Sequence, residues 1–302
     1  MTPNEIKKLI ELRNKGETWN SISKKFKGHT PNALRKTYYR NIRKPNLKVL
    51  IIDIETAPLL AYVWGLWDNN VALNQIKSDW YILSYAAKWL HDPSNKVIYN
   101  DQRGKKNIED DSSLLKEIWK LMDEADVLLT QNGKKFDVRK INARLIQHKL
   151  PPPSSFRQID TMVIAKKVFG FTSNKLEYMT HKLNVQNKKL KHAQFGGFEL
   201  WKECLAGNKA AWDEMKEYNI MDILSLEELY HTLKPWDKTI NFNVFNDDEE
   251  NLCSCGSNEF TKKGFVYTNS GKYHRYICDV CGAEQTDKEN LLSKEKRKSL
   301  RK

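Results

Sequence analysis

The chain contains no apolar run long enough to cross a lipid bilayer, and its first residues lack the uninterrupted apolar stretch of a secretion signal. We therefore expect neither membrane insertion nor export, and we place the protein in the cytoplasm. Cysteine is also scarce, with 5 residues in a chain of 302, and four of these five lie close together near the C-terminus. In a protein that is not secreted, such a cluster indicates metal binding rather than disulfide bonds.

Acidic residues are too few to balance the basic ones. Lys and Arg together number 51 and Asp and Glu 38, which gives a net charge of +13. This excess favours a polyanionic partner, and nucleic acid is expected before a membrane surface. Solubility alone is the alternative explanation. Hydrophobic residues make up 40% of the chain, enough for one sizeable core with one or two small modules.

Changes in composition divide the chain into five segments. They are a basic helical segment (1–44), a long segment of mixed strands and helices (45–237), an acidic linker (238–251), a cysteine module (252–286) and a basic tail (287–302). The long segment begins with the nearly apolar run 48–54, which is typical of a central strand buried on both faces. Further strands are predicted at 81–89, 96–99 and 127–130, and helices at 112–124, 136–149, 159–169, 175–183 and 208–233. This order predicts an α/β fold with a mixed sheet flanked by helices.

The first segment has the signals of three short helices. Thr18 and Thr30 are suited to N-caps, and Pro31 follows Thr30 at a first helical position. Three short helices with a basic third one suit a helix-turn-helix module, and the segment resembles Myb/SANT-like and resolvase-type three-helix domains. The third helix is expected to turn Ala33, Leu34 and Tyr38 inward. The resemblance implies nucleic-acid contacts from its outward basic side chains, Arg35, Lys36 and Arg40. A helical bundle that serves packing or protein contact is the alternative.

Four acidic side chains, in three separate stretches, carry the main functional signal. Asp53 and Glu55 alternate along the first strand and so share one face. Asp137 falls in the first turn of a helix, where the helix dipole favours negative charge. Tyr218 and Asp222 lie one turn apart on the last long helix. Gathered carboxylates repel each other unless divalent cations neutralise them, and such a site on a basic protein indicates phosphodiester hydrolysis. For Asp137 the alternative is a helix-terminal acid without a metal, and for Tyr218 and Asp222 it is a chance pair on a helix surface.

The order Asp-x-Glu, Asn-Gly-x-x-Phe-Asp and Tyr-x-x-x-Asp resembles that of DEDD exonucleases of the tyrosine branch, on the ribonuclease H-like fold, over residues 48–233. The resemblance implies a five-stranded mixed sheet and 3′-to-5′ removal of nucleotides with two Mg²⁺ or Mn²⁺ ions. It also implies that Tyr218 positions the attacking water and that the metal ligands are Asp53, Glu55, Asp137 and Asp222. Asn132 is expected either to contact substrate or to hold the turn before the helix.

Two further stretches, Ile159-Asp160-Thr161 and Phe198-Glu199-Leu200-Trp201, resemble the bacterial and phage members of this fold. Asp160 is expected to play a structural hydrogen-bonding role rather than to be an additional catalytic acid. DNA is favoured over RNA because the first segment resembles DNA-binding domains, and a polymerase or another replication or repair protein is a candidate partner. An endonuclease or ribonuclease of the same fold, and an inactive DNA-binding regulator, are the alternatives.

The cysteine module consists of two pairs, each followed by glycine, on either side of an alternating segment with a hairpin-turn signal at Asn269-Ser270-Gly271. One structural Zn²⁺ held by four thiolates is predicted, with Cys253, Cys255, Cys278 and Cys281 as ligands. The module resembles transposase-type zinc ribbons, although its first pair is one residue shorter. A disulfide pair is the alternative.

Two basic side chains of the module, Lys272 and Arg275, are interleaved with aromatic residues, as in proteins that bind single-stranded nucleic acid. A solvated hairpin face is the alternative. Cys204, far from the other four cysteines in the sequence, is expected to be a lone buried thiol.

Overall fold

The computed structural model describes the whole chain except residues 15–16, 32, 35–36, 39–46, 188–193, 246–250 and 301–302. It contains two compact units, one formed by Lys48–Leu233 and the other by Met1–Leu47 together with Lys234–Lys302. The predicted nucleic-acid-binding residues Arg35, Lys36 and Arg40 lie outside the described residues. None of the described helices combines the length and apolar composition that crossing a membrane requires.

The larger unit is built on a five-stranded sheet of β1 (Val49–Thr56), β4 (Ile82–Trp89), β5 (Ile98–Asp101), β6 (Val127–Thr130) and β7 (Arg157–Asp160). The strand order is β5-β4-β1-β6-β7. Strand β1 pairs antiparallel with β4 and parallel with β6, so the sheet is mixed, as the sequence predicts. The first four residues of β1 are buried, because β1 is the central strand. Two short strands, β2 (Leu60–Ala61) and β3 (Ile76–Ser78), pair with each other in the segment between β1 and β4.

Helices cover both faces of this sheet: α3 (Ser112–Glu124), α4 (Asp137–Gln147), α5 (Thr161–Val168), α6 (Leu176–Lys182), α7 (Glu199–Leu205) and α8 (Lys209–Leu233). Leu50, Ile52 and Ile54 of β1 lie in one apolar cluster with α3 and α4. Because side chains alternate along a strand, Asp53 and Glu55 point to the opposite face. The long helix α8 contacts β1 and β4, so the carboxylates and α8 can meet.

One predicted helix begins later than the sequence pattern indicates. Residues 159–169 were predicted to be helical throughout, but Ile159 and Asp160 end strand β7, and the helix begins at Thr161. Ile159 pairs with Leu129 in the parallel ladder. Asp160 then caps α5, because its side chain accepts hydrogen bonds from the backbone N–H groups of Met162 and Val163. A short buried strand that runs directly into a helix leaves no break in the apolar pattern.

The N-terminal segment forms α1 (Pro3–Asn14) and α2 (Trp19–Lys25), and residues 31, 33–34 and 37–38 are also helical. Thr18 accepts a hydrogen bond from Ser21 N and Thr30 one from Ala33 N, each at 3.2 Å, which confirms both caps. The core of this segment consists of Leu9, Ile22, Phe26 and Leu34, with Tyr38 packed against it. Ala33, predicted to face inward, is exposed. Leu34 occupies the core position, and each helical residue is rotated by about 100° from the next.

The C-terminal sheet consists of β8 (Phe260–Thr268), β9 (Gly271–Cys278) and β10 (Glu284–Thr286), in the order β10-β9-β8. The turn predicted at Asn269-Ser270 joins β8 to β9, whereas β10 is not indicated by the sequence pattern. The described residues of the predicted linker and tail include some that are buried or hydrogen-bonded. Phe242 in the linker is buried, and Leu291 in the tail donates its N–H to Lys272 O at 2.8 Å. The tail also contains a short helix, α9 (Lys294–Ser299).

Candidate active site

Three of the four predicted carboxylate ligands meet at one place. One carboxylate oxygen from each of Asp53, Glu55 and Asp222 lies within 4.8 Å of the other two. Asp53 and Glu55 come from the end of β1, and Asp222 comes from α8. Asp222 is buried, while the other two are partly exposed, so the cluster is open to solvent on one side. Three carboxylates this close together form an oxygen-only ligand set of the kind that Mg²⁺ and Mn²⁺ prefer.

A chain of buried hydrogen bonds joins this cluster to α8. Ser84 Oγ lies 2.7 Å from Asn219 Oδ1, and Asn219 Nδ2 donates to Asp53 Oδ2 at 3.0 Å. Ser84 and Asn219 have no solvent exposure. Asn219 therefore fixes one oxygen of Asp53 from the helix that also carries Asp222. Asn219 is not among the site residues predicted from the sequence, although an amide three residues before Asp222, on a face that packs on a sheet, is an available signal.

A buried ion pair makes a second contact between α8 and β4, the strand that carries Ser84. Lys88 Nζ lies 2.7 Å from Glu227 Oε2, and the Lys88 side chain is almost completely inaccessible. Four residues of strand separate Ser84 from Lys88, about 13 Å, and eight residues of helix separate Asn219 from Glu227, about 12 Å. Because these spans match, both polar contacts can form at once. They place α8 in one position along β4, with Asp222 facing Asp53 and Glu55.

Asp137, the fourth predicted ligand, lies outside the cluster of three but next to it. Its Oδ1 accepts a hydrogen bond of 3.2 Å from the backbone N–H of Ile54, the residue between Asp53 and Glu55. Asp137 is buried at the start of α4. Burial raises the pKa of its carboxyl to about 7, with a further contribution from the charge of Asp160, against the lowering effect of backbone N–H groups. A nearby cation would favour the charged form of this carboxylate.

The turn that delivers Asp137 is held by the buried carboxylate of Asp160. This side chain accepts hydrogen bonds from the backbone N–H groups of Asn132, Lys134, Met162 and Val163. This agrees with the structural role expected from the sequence. The backbone of Asn132 is left-handed, with φ of 65°, and Asn132 O accepts from the N–H groups of Lys135 and Phe136. Asn132 thus holds the turn through its backbone.

Glycine is required within this turn at position 133. A Cβ atom built on Gly133 would overlap the buried side chain of Thr130 at the end of β6. The carbonyl of Gly133 also accepts the N–H of Val138 at 3.0 Å, which begins helix α4. The close approach of this turn to the sheet therefore determines where Asp137 starts its helix.

Tyr218 lies one helical turn before Asp222 and is mostly buried. Its ring packs edge-on against Trp201 of α7, with ring centroids 6.3 Å apart and planes at 78°. This contact restricts the orientation of the tyrosine ring, which is needed if its hydroxyl is to orient another group. The Phe198–Trp201 stretch, noted in the sequence only as a resemblance, thus supplies a packing partner for Tyr218.

Four thiols converge in the C-terminal sheet. The Sγ atoms of Cys253 and Cys281 are 3.4 Å apart and those of Cys255 and Cys278 3.6 Å, and all four lie within 4.8 Å of one another. These separations are too long for disulfide bonds, and none of the four cysteines is disulfide-bonded. Tetrahedral ligation with Zn–S bonds of about 2.3 Å places sulfurs about 3.8 Å apart. The cluster therefore fits a zinc ion.

The two cysteine turns have similar backbones despite their different lengths. Cys253 donates its N–H to Ser257 O and Cys278 donates to Ala283 O. The glycines at the two turns, Gly256 and Gly282, have φ values of 86° and 75°, a conformation that glycine adopts without strain. The shorter spacing of the first pair is thus accommodated. Cys204, in α7 of the larger unit, is fully buried, and burial raises the pKa of its thiol to about 12, as expected for an inert thiol.

One face of the hairpin combines basic and aromatic side chains. Lys272 Nζ lies 3.9 Å from the ring centroid of Phe265, and Lys262 Nζ lies 3.0 Å from His274 Nε2. Arg275 is engaged differently: its Nε donates to Lys263 O at 2.7 Å, and its Nη1 lies 3.5 Å from Glu284 Oε2. Of the two hairpin residues predicted to bind nucleic acid, Lys272 therefore belongs to the aromatic face, while Arg275 is tied to an acid.

The sequence model of the RNase_H superfamily matches residues 89–234. This range contains Asp137, Tyr218 and Asp222 and begins after Asp53 and Glu55. No curated protein matches the chain.

Among solved structures, the family B DNA polymerase from the hyperthermophilic archaeon Pyrobaculum calidifontis is similar, with a TM-score of 0.45 and 12% sequence identity. The similarity covers 68% of this chain and 28% of the polymerase, so the match spans little more than a quarter of the polymerase.

The larger unit has the ribonuclease H-like fold, as the resemblance in the sequence implied. The family match and the five-stranded mixed sheet with helices on both faces agree on this. The small C-terminal sheet beside its thiol cluster is compatible with a zinc ribbon. The fold alone does not determine which residues perform chemistry, because one fold hosts many functions.

Proposed function

We propose that this protein is a divalent-metal-dependent nuclease that removes nucleotides from the 3′ end of DNA. One observation carries the proposal: Asp53, Glu55 and Asp222 bring carboxylate oxygens within 4.8 Å of one another on a ribonuclease H-like sheet. A protein with net charge +13 attracts a polyanion, and the same cluster without cations would repel a phosphate. The site is therefore suited to a phosphodiester substrate only in the presence of divalent ions.

The side chains have distinct roles in this proposal. Asp53, Glu55 and Asp222 hold two divalent ions, and Asp137 completes the ligand set when it loses its proton. Tyr218, restrained by Trp201, accepts a hydrogen bond from the attacking water and orients it toward the phosphorus. Asn219 keeps Asp53 in the orientation that ligation needs. When bound, the ions supply charge neutralisation and a lower pKa for water.

The C-terminal sheet and its thiol cluster have a supporting role. Four thiolates leave no open position on a zinc ion, so this zinc is structural. The adjoining hairpin face, with Lys272 above Phe265, offers charge and an aromatic surface to a nucleic-acid strand. DNA is proposed over RNA because the N-terminal helices resemble DNA-binding domains.

Product analysis tests the proposal directly. Single-stranded DNA and RNA labelled at either end are incubated with the protein and Mn²⁺ or Mg²⁺, with and without chelator. We expect release of the 3′-terminal label first, as mononucleotides, and no release with chelator. Asp53→Asn and Asp222→Asn are expected to lose nearly all activity, since each removes a charged ligand from the metal site.

A matched control lies on the same helix. Asp213 is an exposed acid that forms a surface ion pair with Arg103, and loss of such a pair costs little, so Asp213→Asn is expected to retain activity. Cleavage of circular DNA, which has no free end, would show that the protein is an endonuclease rather than an exonuclease. DNA binding without any mononucleotide release in either metal would support the alternative of a DNA-binding regulator without nuclease activity. Wild-type rates in Asp53→Asn would refute the site assignment.

A further inference from the structure

The segment between β1 and β4 exposes an unusual amount of apolar side chain to water. We call residues 58–75 the aromatic loop. Trp64 is 101% exposed, Trp67 85% and Leu73 88%, and the other large exposed apolar residues of the loop are Leu59, Leu60, Tyr62, Val63 and Leu66. Isolated exposed apolar residues are normal, but a contiguous set of this size marks an interaction surface.

This exposure is built into the backbone of the loop. Strands β2 and β3 pair at its base, and Tyr62 N donates to Gln75 O at 2.9 Å. Gln75 Nε2 donates to Tyr62 O at 2.9 Å, and its Oε1 accepts from Ala72 N at 2.8 Å. Nearer the tip, Asn69 Nδ2 donates to Gly65 O at 2.7 Å. The hydrogen bonds hold the loop in a shape that leaves its rings in solvent.

The loop starts beside the carboxylate cluster. It follows β1 directly, and Ala57 N donates to Tyr81 O at 2.8 Å, which closes the base of the loop two residues after Glu55. Leu60 is five residues beyond Glu55, a chain length of at most about 17 Å. A polymer bound with its end at Asp53, Glu55 and Asp222 can therefore reach this loop within a few nucleotides.

The chemistry of the loop favours bases over phosphates as its ligand. From residue 57 to residue 76 the sequence contains no Lys or Arg, and Asp68 is the only charged residue. Such a surface cannot attract a phosphate backbone by charge, and the net charge of +13 does so elsewhere in the chain. Its indole and phenol rings can stack on the faces of unpaired bases, which is a sequence-tolerant interaction.

We propose that the aromatic loop is a stacking surface for unpaired bases of a nucleic-acid strand whose end lies at the carboxylate cluster. Tyr62, Trp64 and Trp67 supply the rings. The proposal rests on the nuclease function proposed above and adds that the enzyme recognises single-stranded ends. A duplex end must unpair before its bases reach the loop.

Binding of a short single-stranded DNA and of an abasic strand of equal length tests this. Both are measured with the full chain carrying Asp222→Asn, in Mg²⁺, with and without the triple substitution Tyr62→Ala, Trp64→Ala, Trp67→Ala. We expect the triple substitution to weaken binding of the base-containing strand, by about 5- to 150-fold per stacked base lost. The abasic strand is expected to bind weakly to both proteins, with less than a twofold difference between them. Trp236→Ala, which removes a half-exposed ring outside the loop, is the control and is expected to bind like the parent.

Equal affinity of the parent and the triple variant for the base-containing strand would overturn the proposal. So would an equal loss for both strands, because stacking requires bases. A parent that self-associates and becomes monomeric on triple substitution, with unchanged DNA affinity, would assign the loop to a second copy of the chain and also overturn it. These results are independent of the nuclease function, which is measured separately as mononucleotide release by the unsubstituted chain.

Discussion

Asn219 Nδ2 donates a hydrogen bond of 3.0 Å to Asp53 Oδ2, so a buried amide on helix α8 orients a carboxylate on strand β1. The other end of the same amide lies 2.7 Å from Ser84 Oγ on the neighbouring strand β4. With both ends engaged, the amide plane has one orientation. The proposed metal ligand is therefore positioned by side chains from two other elements.

Removal of the Asn219 amide should affect the affinity for the catalytic metal more than it affects the stability of the fold. Asn219→Ala is expected to raise the half-saturating Mg²⁺ or Mn²⁺ concentration for DNA hydrolysis by about 10- to 100-fold, as loss of an outer-shell partner typically does. The measurement is the metal dependence of the initial rate. Ser225→Ala is the control, since this buried hydroxyl on the same helix has no hydrogen-bond partner among the described residues. An unchanged metal dependence in Asn219→Ala would show that the amide only packs.

The buried carboxyl of Asp137 should make the metal-free protein sensitive to pH. Its pKa in the folded protein is raised to about 7 by burial. Between about pH 4 and pH 7 the folded state therefore holds a proton that the unfolded state has released, and the free energy of unfolding falls as pH rises through this window. The loss attributable to Asp137 is of order 4 kcal/mol.

Asp137→Asn removes this titration. In chelator, the free energy of unfolding of this variant relative to wild type is expected to increase by a few kcal/mol between pH 4 and pH 7.5, as measured by urea unfolding at each pH. Mg²⁺ at pH 7.5 should stabilise wild type more than the variant. A difference between the two proteins that does not change with pH would contradict the assigned pKa.

The turn before α4 should tolerate no side chain at position 133. Gly133→Ala is expected to destabilise the protein by about 1–3 kcal/mol, because the new Cβ overlaps Thr130 at the end of β6. It should also lower activity, since the turn sets the position of Asp137. Gly170→Ala is the matched control, because nothing lies within 4 Å of a Cβ there. Thermal unfolding and hydrolysis rates are measured for both, and equal behaviour would count against the close-packed turn.

Zinc should be bound by the C-terminal cluster alone. Wild type is expected to contain one equivalent of zinc, Cys281→Ser to lose most of it, and Cys204→Ala to retain it. The physical reason is that a hydroxyl cannot replace a thiolate, while Cys204 is buried far from the cluster in sequence. Elemental analysis after dialysis provides the measurement. Full zinc content in Cys281→Ser would remove this residue from the ligand set.

The sequence predicts β1, β4, β5, β6 and most helices of the larger unit in their observed order, because local patterns determine them. It does not predict β2, β3, β7 or α7. Asp53 and Glu55 alternate on an apolar strand, and Asp222 lies one turn from Tyr218, so the faces they occupy follow from period alone. The start of α5 at Thr161 could not be predicted, because Ile159 and Asp160 belong to a strand only through pairing with β6. Pairing between distant segments is invisible to a local pattern.

Long-range contacts also explain why the role of Asn219 could not be predicted from the sequence. Asn219 and Ser84 are 135 residues apart in sequence, and nothing local to either residue indicates the other. The aromatic loop gives a different lesson. Nothing in the sequence pattern singles out its tryptophans, and only their exposure in the structure distinguishes them. Composition specifies which side chains can be buried, but tertiary structure decides which of them are.

The matched spans between Ser84 and Lys88 on β4 and between Asn219 and Glu227 on α8 have a consequence for how the site can fail. A helix displaced by a single residue moves about 1.5 Å along its axis and turns by about 100°. Such a shift would separate Lys88 from Glu227 and break the hydrogen bond between Asn219 and Asp53. It would also move Tyr218 and Asp222 together away from Asp53 and Glu55. Partially assembled versions of the site are therefore disfavoured, and a population of molecules should consist of fully competent and fully incompetent members rather than of graded intermediates.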